Sequence, residues 1–147
     1  MKKRLALLVG IAVICAGSAV TFWSLERAKA HAESINCANT LCAIGLGART
    51  YAMDNTNVFA SDIRAMSNEL STPKILMCPS DKKPRPQSFT NLSPQAVTYE
   101  YVGANKIYDL DKATNALFRC PIHGHVVYDN GRIVRGDGTV QYGKTSF

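Results

Sequence analysis

Residues 5 to 23, LALLVGIAVICAGSAVTFW, form one unbroken apolar run directly behind Lys2, Lys3 and Arg4. At ~1.5 Å per residue such a run, if helical, spans roughly 28 Å, close to the thickness of a bilayer core. The basic cluster predicts a cytoplasmic N-terminus, and Trp23 closes the run where an aromatic ring suits a lipid boundary. No proline follows until Pro73, and Ala, Leu, Glu, Arg and Lys dominate the residues just after Trp23. The chain is therefore expected to begin as one helix that continues from an anchor (residues 1–24) into a stalk (25–55) and carries a head (56–147). The expected location is the inner membrane, single-pass, with the head extracytoplasmic. Two other readings of the same run are a cleaved secretory signal ending near Gly17-Ser18-Ala19 and a lipid anchor at Cys15.

The charge balance does not point to nucleic acid. The formal net charge is +6. From Asn55 onward, however, eleven Lys and Arg stand against eight Asp and Glu, a difference of +3. Much of the excess thus belongs to the first four residues, and no nucleic-acid partner is expected. The 90 or so residues of the head allow only a modest core, one that would gain from a covalent or metal staple.

The stalk has a readable apolar face. Leu25, Ala28, Ala32 and Ile35 recur at helical spacing, and Ala38, Leu41, Ile44, Ala48 and Tyr51 continue the stripe. Its inner part is expected to pack on the head. Leu25, Ala28, Ala32, Ile35, Leu41 and Ile44 are the candidate assembly face. Gly45 and Gly47 each cost roughly 1 kcal/mol inside a helix, so close approach of another backbone is expected there, a bend in the helix being the second reading.

In the head, Ser61 or Asp62 caps a short helix that Ser71-Thr72-Pro73 ends. Lys74–Cys78 reads as a short strand, and Pro79–Gln95 as a long loop carrying the basic run Lys82-Lys83-Pro84-Arg85. Strands are predicted at Val97–Val102, Ala116–Cys120, Gly124–Tyr128, Arg132–Arg135 and Thr139–Tyr142. Asp129-Asn130-Gly131 supplies a hairpin signal. The fold class is α+β, a long N-terminal helix packed on a small antiparallel sheet.

Particular stretches resemble a known group. They are Leu25 to Ala30, Ile35 to Asn39, Ile44 to Leu46 and Tyr51 to Asn55 on the helix. In the head they are Met66 to Lys74, Cys78-Pro79-Ser80-Asp81, Cys120-Pro121-Ile122-His123-Gly124-His125 and Asp137-Gly138-Thr139-Val140. These are similar to bacterial type IV pilin-like proteins and type II secretion pseudopilins, above all the verrucomicrobial and planctomycete-type sets. The resemblance implies a pilin-like fold, a structural role, and association with itself or with other pilin-like subunits through the apolar helix. The chain departs from the group at its start. It lacks the usual Gly-Phe-Thr-Leu-x-Glu-like processing site, and no acidic residue lies inside the run, so it looks like a pilin stalk and head on an ordinary anchor.

The cysteines carry the remaining chemistry. Cys37 and Cys42 lie on one helix about 140° apart, cannot bridge each other, and read as small buried hydrophobes. Cys78 and Cys120 each end a predicted strand and precede proline, and a disulfide between them is expected to close a loop of about 43 residues, worth about 4 kcal/mol. Free thiols and a metal remain open alternatives, the metal ligands being Cys78, Cys120, His123 and His125, a set zinc accepts. His125 paired with Asp137 reads as a structural hydrogen bond. Asp109, Asp111 and Asn115 lack the glycine and terminal Glu of a calcium loop. No nucleophile elbow, phosphate loop or carboxylate pair is present, a Cys120-His123 dyad has no oxyanion donor, and no enzyme and no cofactor are expected. The second functional reading is a tethered binding module, for an anionic polymer at Lys82–Arg85 or for a metal.

Overall fold

A computed structural model describes residues 2–109 and 114–142, the side chains of 2–20, 94 and 142 lying outside the description. The chain divides into two compact units, Met1–Glu33 and Ser34–Phe147. A helix α1 runs over Lys2–Asp54. Its length follows from the absence of proline and the dominance of good helix formers. It stops at Thr56 and Asn57, both left-handed at φ 56° and 59°. There the Asn57 amide returns to the Ala52 carbonyl at 2.8 Å, and the Asn55 side chain donates to the Tyr51 carbonyl at 2.8 Å.

In the first unit every described side chain from Thr21 to Ala32 is exposed. Arg27 lies over the Trp23 ring at 5.4 Å. Among the described residues, no helix is long and apolar enough to cross a membrane. That finding overturns the expectation of a single-pass inner-membrane protein. From Thr21 onward Glu26, Arg27, Lys29, His31 and Glu33 break up the apolar residues, and the side chains of 5–20, on which the anchor expectation mostly rests, lie outside the description.

In the second unit α1 turns one face inward. Cys37, Ala38, Leu41, Ile44, Ala48 and Ala52 are fully buried, at spacings of one, three, three, four and four. The expected inner stripe is thereby covered, with Ile35 and Tyr51 half-buried at its margins. Five strands lie against the same core in simple meander order, all antiparallel. They are β1 (Glu100–Tyr101), β2 (Ala116–Arg119), β3 (Val126–Tyr128), β4 (Arg132–Val134) and β5 (Val140–Tyr142). Leu117, Phe118, Val127 and Ile133 supply the buried residues of the sheet. The architecture is α+β.

The β3–β4 hairpin forms where Asp129-Asn130-Gly131 predicts it, with Val127 opposite Ile133. Of the two residues in the Asn-Gly signal only Gly131 takes a positive φ, 79°. The Gly131 amide donates to the Tyr128 carbonyl at 3.0 Å, so the glycine follows a turn centred on Asp129 and Asn130.

Three predicted elements differ. Lys74–Cys78 is not a strand: Pro73–Leu76 is a 3-10 turn with Thr72 as its N-cap and Pro73 in the first position. The strand expected over Val97–Val102 shrinks to Glu100–Tyr101 because the Thr98 and Tyr99 amides go to the Leu76 carbonyl, at 3.1 and 3.5 Å. The short helix after Asp62 is likewise a 3-10 turn, Ile63–Met66, capped by the Asp62 carboxylate, which accepts from the Arg64 amide at 3.3 Å.

Gly47 approaches another backbone as expected, whereas Gly45 closely approaches a side chain instead. A Cβ on Gly45 would stand 2.9 Å from Val127 Cγ2, and one on Gly47 would meet the Glu69 carbonyl oxygen at 3.2 Å. Val127 is stiff at χ1 and fully buried, so it has little room to yield. Gly45→Ala is therefore expected to lose about 1–2 kcal/mol despite the better helix propensity of alanine. Urea unfolding measures this, and a stabilised variant would show that helix and sheet are not in this contact.

Candidate metal centre

Three segments far apart in sequence meet at one end of the core. Cys37 projects from the buried face of α1. Cys78 and Cys120 each open a tight turn at a Cys-Pro step, and His123 closes the second of these turns. In that turn the Gly124 amide donates to the Cys120 carbonyl at 2.9 Å. In the first, the Asp81 amide donates to the Cys78 carbonyl at 3.0 Å. Proline has no N–H of its own and a fixed φ, so the next amides are left to turn back toward the cysteine sulfur. The Ser80 N–H does so at Cys78, and the His123 and Ile122 N–H groups do so at Cys120.

The three sulfurs and a His123 ring nitrogen lie within 4.8 Å of one another. His123 Nδ1 is the nitrogen facing them, 3.3 Å from Cys78 Sγ and 3.9 Å from Cys120 Sγ. Its Nε2 lies 3.3 Å from the Ser80 hydroxyl. The Tyr99 hydroxyl donates to Cys37 Sγ at 3.5 Å from within the core. Cys37, Cys78 and Cys120 are completely buried.

All three cysteines are free thiols, so the expected Cys78–Cys120 disulfide is not formed. The thiols differ electrostatically. Cys120 is lowered to about 5, first by the hydrogen bond from Cys37 and then by the His123 amide, the His123 ring and the Ile122 amide, against the opposing effect of burial. Cys37, its donor, is raised by that same bond and by burial. Cys78 is raised mainly by burial.

His125, expected beside His123 as a ligand, has a different role. The Gly136 amide donates to its Nδ1 at 3.0 Å, which puts the ring proton on Nε2. There Nε2 meets the Ser34 carbonyl at 3.1 Å and the Ser34 hydroxyl at 3.0 Å. Burial lowers its pKa, in keeping with a neutral ring. The two imidazoles stack at 5.4 Å with 14° between their planes, so His125 braces the His123 ring. Asp137 does not pair with His125. Its carboxylate accepts from the Thr139 amide and hydroxyl at 2.9 and 2.7 Å. Of the residues weighed for calcium, Asn115 spends its side chain on the Ile107 carbonyl at 3.3 Å, and Asp111 lies outside the described residues.

Cys37 is the member that sequence reasoning missed. Its signal was present, since Cys37 falls four and seven residues before the buried Leu41 and Ile44, in register with the core face, whereas Cys42 does not and is only half-buried. No protein-family model matches the chain, and no curated protein or solved structure matches it.

Proposed function

We propose that the protein is a structural subunit of a pilin-like or pseudopilin-like assembly, joining copies of itself or related subunits through α1 ahead of Ser34. The observation that carries this is the contrast in exposure along one helix. From Cys37 its apolar face is fully covered, whereas Phe22, Trp23 and Leu25 stand 64, 69 and 67% exposed. Three large apolar residues within about one helical turn, left in water, mark a contact surface. The candidate positions Ala28 and Ala32 continue that surface and are small enough to let a second helix approach. Leu41 and Ile44 serve the protein's own core instead and drop out of the assembly face. The sequence resemblance to pilin-like chains agrees with this reading.

Photo-crosslinking in cells tests it, with a benzophenone amino acid at Leu25 or Ala32, which leaves every cysteine untouched. Expected are crosslinks from these positions to the same helix segment of another copy or of a related chain. Crosslinks confined to head positions such as Lys83, with none from Leu25 or Ala32, would replace the assembly reading with that of a binding module.

A further inference from the structure

We propose that Cys37, Cys78, Cys120 and His123 hold one zinc ion in a closed tetrahedral site, with three sulfurs and His123 Nδ1 as ligands, which fastens α1 to the two Cys-Pro turns. Neither a disulfide nor ordinary core packing accounts for the arrangement. A disulfide needs two cysteines and leaves a third thiol and an imidazole unexplained at the same point. Packing of small hydrophobes gives no reason for His123 to aim Nδ1 at two sulfurs.

The dimensions suit zinc. Bonds of about 2.3 Å to sulfur and 2.0–2.1 Å to nitrogen put tetrahedral S···N pairs about 3.5 Å apart and S···S pairs about 3.8 Å apart. The observed S···N distances of 3.3 and 3.9 Å bracket the first value. No ligand pair is wider than 4.8 Å, so the set would close by at most roughly 1 Å on binding. A set of three sulfurs and one imidazole selects zinc over calcium or magnesium, which take oxygen.

The surroundings are those of a structural site. All four positions are filled by protein, which leaves none open for a substrate. The sulfurs receive N–H donors from Ser80, Ile122 and His123 and the Tyr99 hydroxyl, which offset the excess negative charge of three thiolates on a divalent ion. The Ser80 hydroxyl engages the far nitrogen of the ligand ring, orienting it as outer-sphere partners of zinc-bound histidines do. The spacing also has a mechanical sense. Cys120-Pro121-Ile122-His123 contributes two ligands from one turn, Cys78 a third from another, and Cys37 the only one from the helix.

Elemental analysis of the full-length protein, purified without chelators under reducing conditions, is expected to find one zinc per chain. After the metal is stripped, cobalt(II) should restore a tetrahedral visible spectrum with sulfur-to-cobalt charge transfer. Removing zinc is expected to lower the Tm by about 15 °C, the shift for a ligand present near a thousand times its Kd in a domain of this size. Cys37→Ser should abolish stoichiometric zinc, whereas Cys42→Ser, on the same helix but outside the cluster, should keep it. Should Cys37→Ser fail to fold, the cobalt spectrum of the unmutated protein decides alone. Protein with less than a tenth of an equivalent of zinc and no tetrahedral cobalt spectrum, or with a native Cys78–Cys120 disulfide, would overturn the proposal. The crosslinking above does not depend on this result, so the two readings fail separately.

Discussion

Replacing Phe118 with alanine is expected to lower the unfolding free energy by about 4 kcal/mol, within the range for deleting a buried aromatic ring. Phe118 is completely buried in β2, the strand that joins the meander's edge strand β1 to β3. It sits opposite both Tyr101 and Val127, and its ring stacks on Tyr101 at 4.8 Å with 26° between the planes. The loss would thus combine a cavity, a forfeited aromatic pair and a weakened attachment of β1, which has only two residues. Tyr101 would keep its hydroxyl bond to the Ala60 carbonyl, 2.7 Å, so β1 is not expected to detach completely. Total stabilities of 5–15 kcal/mol are usual, so a loss of this size removes a large part of the margin. Guanidinium unfolding with an unchanged m-value is the measurement, and Phe118→Leu should cost less than about 1.5 kcal/mol. A loss below about 1 kcal/mol for the alanine variant would mean that β2 is not the centre of the core.

What could be read from the sequence was what local pattern controls. The 3.6-residue recurrence of Ala38, Leu41, Ile44 and Ala48 predicted the buried face of the helix, because a helix must bury whichever stripe is apolar. Gly45 and Gly47 predicted close approach, because their helical cost needs an offset. The turn at Asp129-Asn130-Gly131 predicted the β3–β4 pairing. The errors arose where a distant partner decided the outcome. Lys74–Cys78 and Val97–Val102 both looked like strands, yet Leu76 offers its carbonyl to two amides of the second segment from within a 3-10 turn, so the first segment forms no strand and the second keeps only Glu100–Tyr101. The apolar stretch ahead of Ser24 pointed to a membrane location, which the charged residues of the described part of α1 do not support.

The metal centre was half legible. Cys78, Cys120 and His123 drew attention through Cys-Pro steps and a short cysteine-to-histidine spacing, which are local features. Assigning Cys37 to the same point required knowing which part of the helix faces those turns, and no local pattern contains that. His125 was the natural fourth choice by sequence, two residues from His123 and so on the same face of an extended strand. The chain is not extended there. It turns through Gly124 at φ 68°, and His125 leaves the cluster to engage Ser34 and Gly136.

Gly136→Ala is expected to destabilise the protein by about 3 kcal/mol, at the top of the usual range for overpacking. A Cβ on Gly136 would fall 2.0 Å from the His123 carbonyl oxygen and 3.4 Å from the Gly124 Cα, so the obstruction is backbone on both counts. No rotamer change relieves it, and either the 123–124 turn or the segment around Gly136 must move. Movement of the first takes His123 away from Cys78 and Cys120. Movement of the second breaks the Gly136 amide bond to His125 Nδ1, and with it the brace behind the His123 ring. Gly138, two residues on, separates sterics from backbone preference. It has the left-handed φ of 84° but open space where a Cβ would go, so Gly138→Ala should cost only about 1–2 kcal/mol. Thermal unfolding of the two variants, each paired with zinc content, gives the comparison. Gly136→Ala should be the less stable and should bind zinc more weakly, whereas Gly138→Ala should keep its zinc. If Gly136→Ala is the more stable of the two, the 123–124 turn does not lie against Gly136, and the placement of His123 beside the sulfurs falls with it.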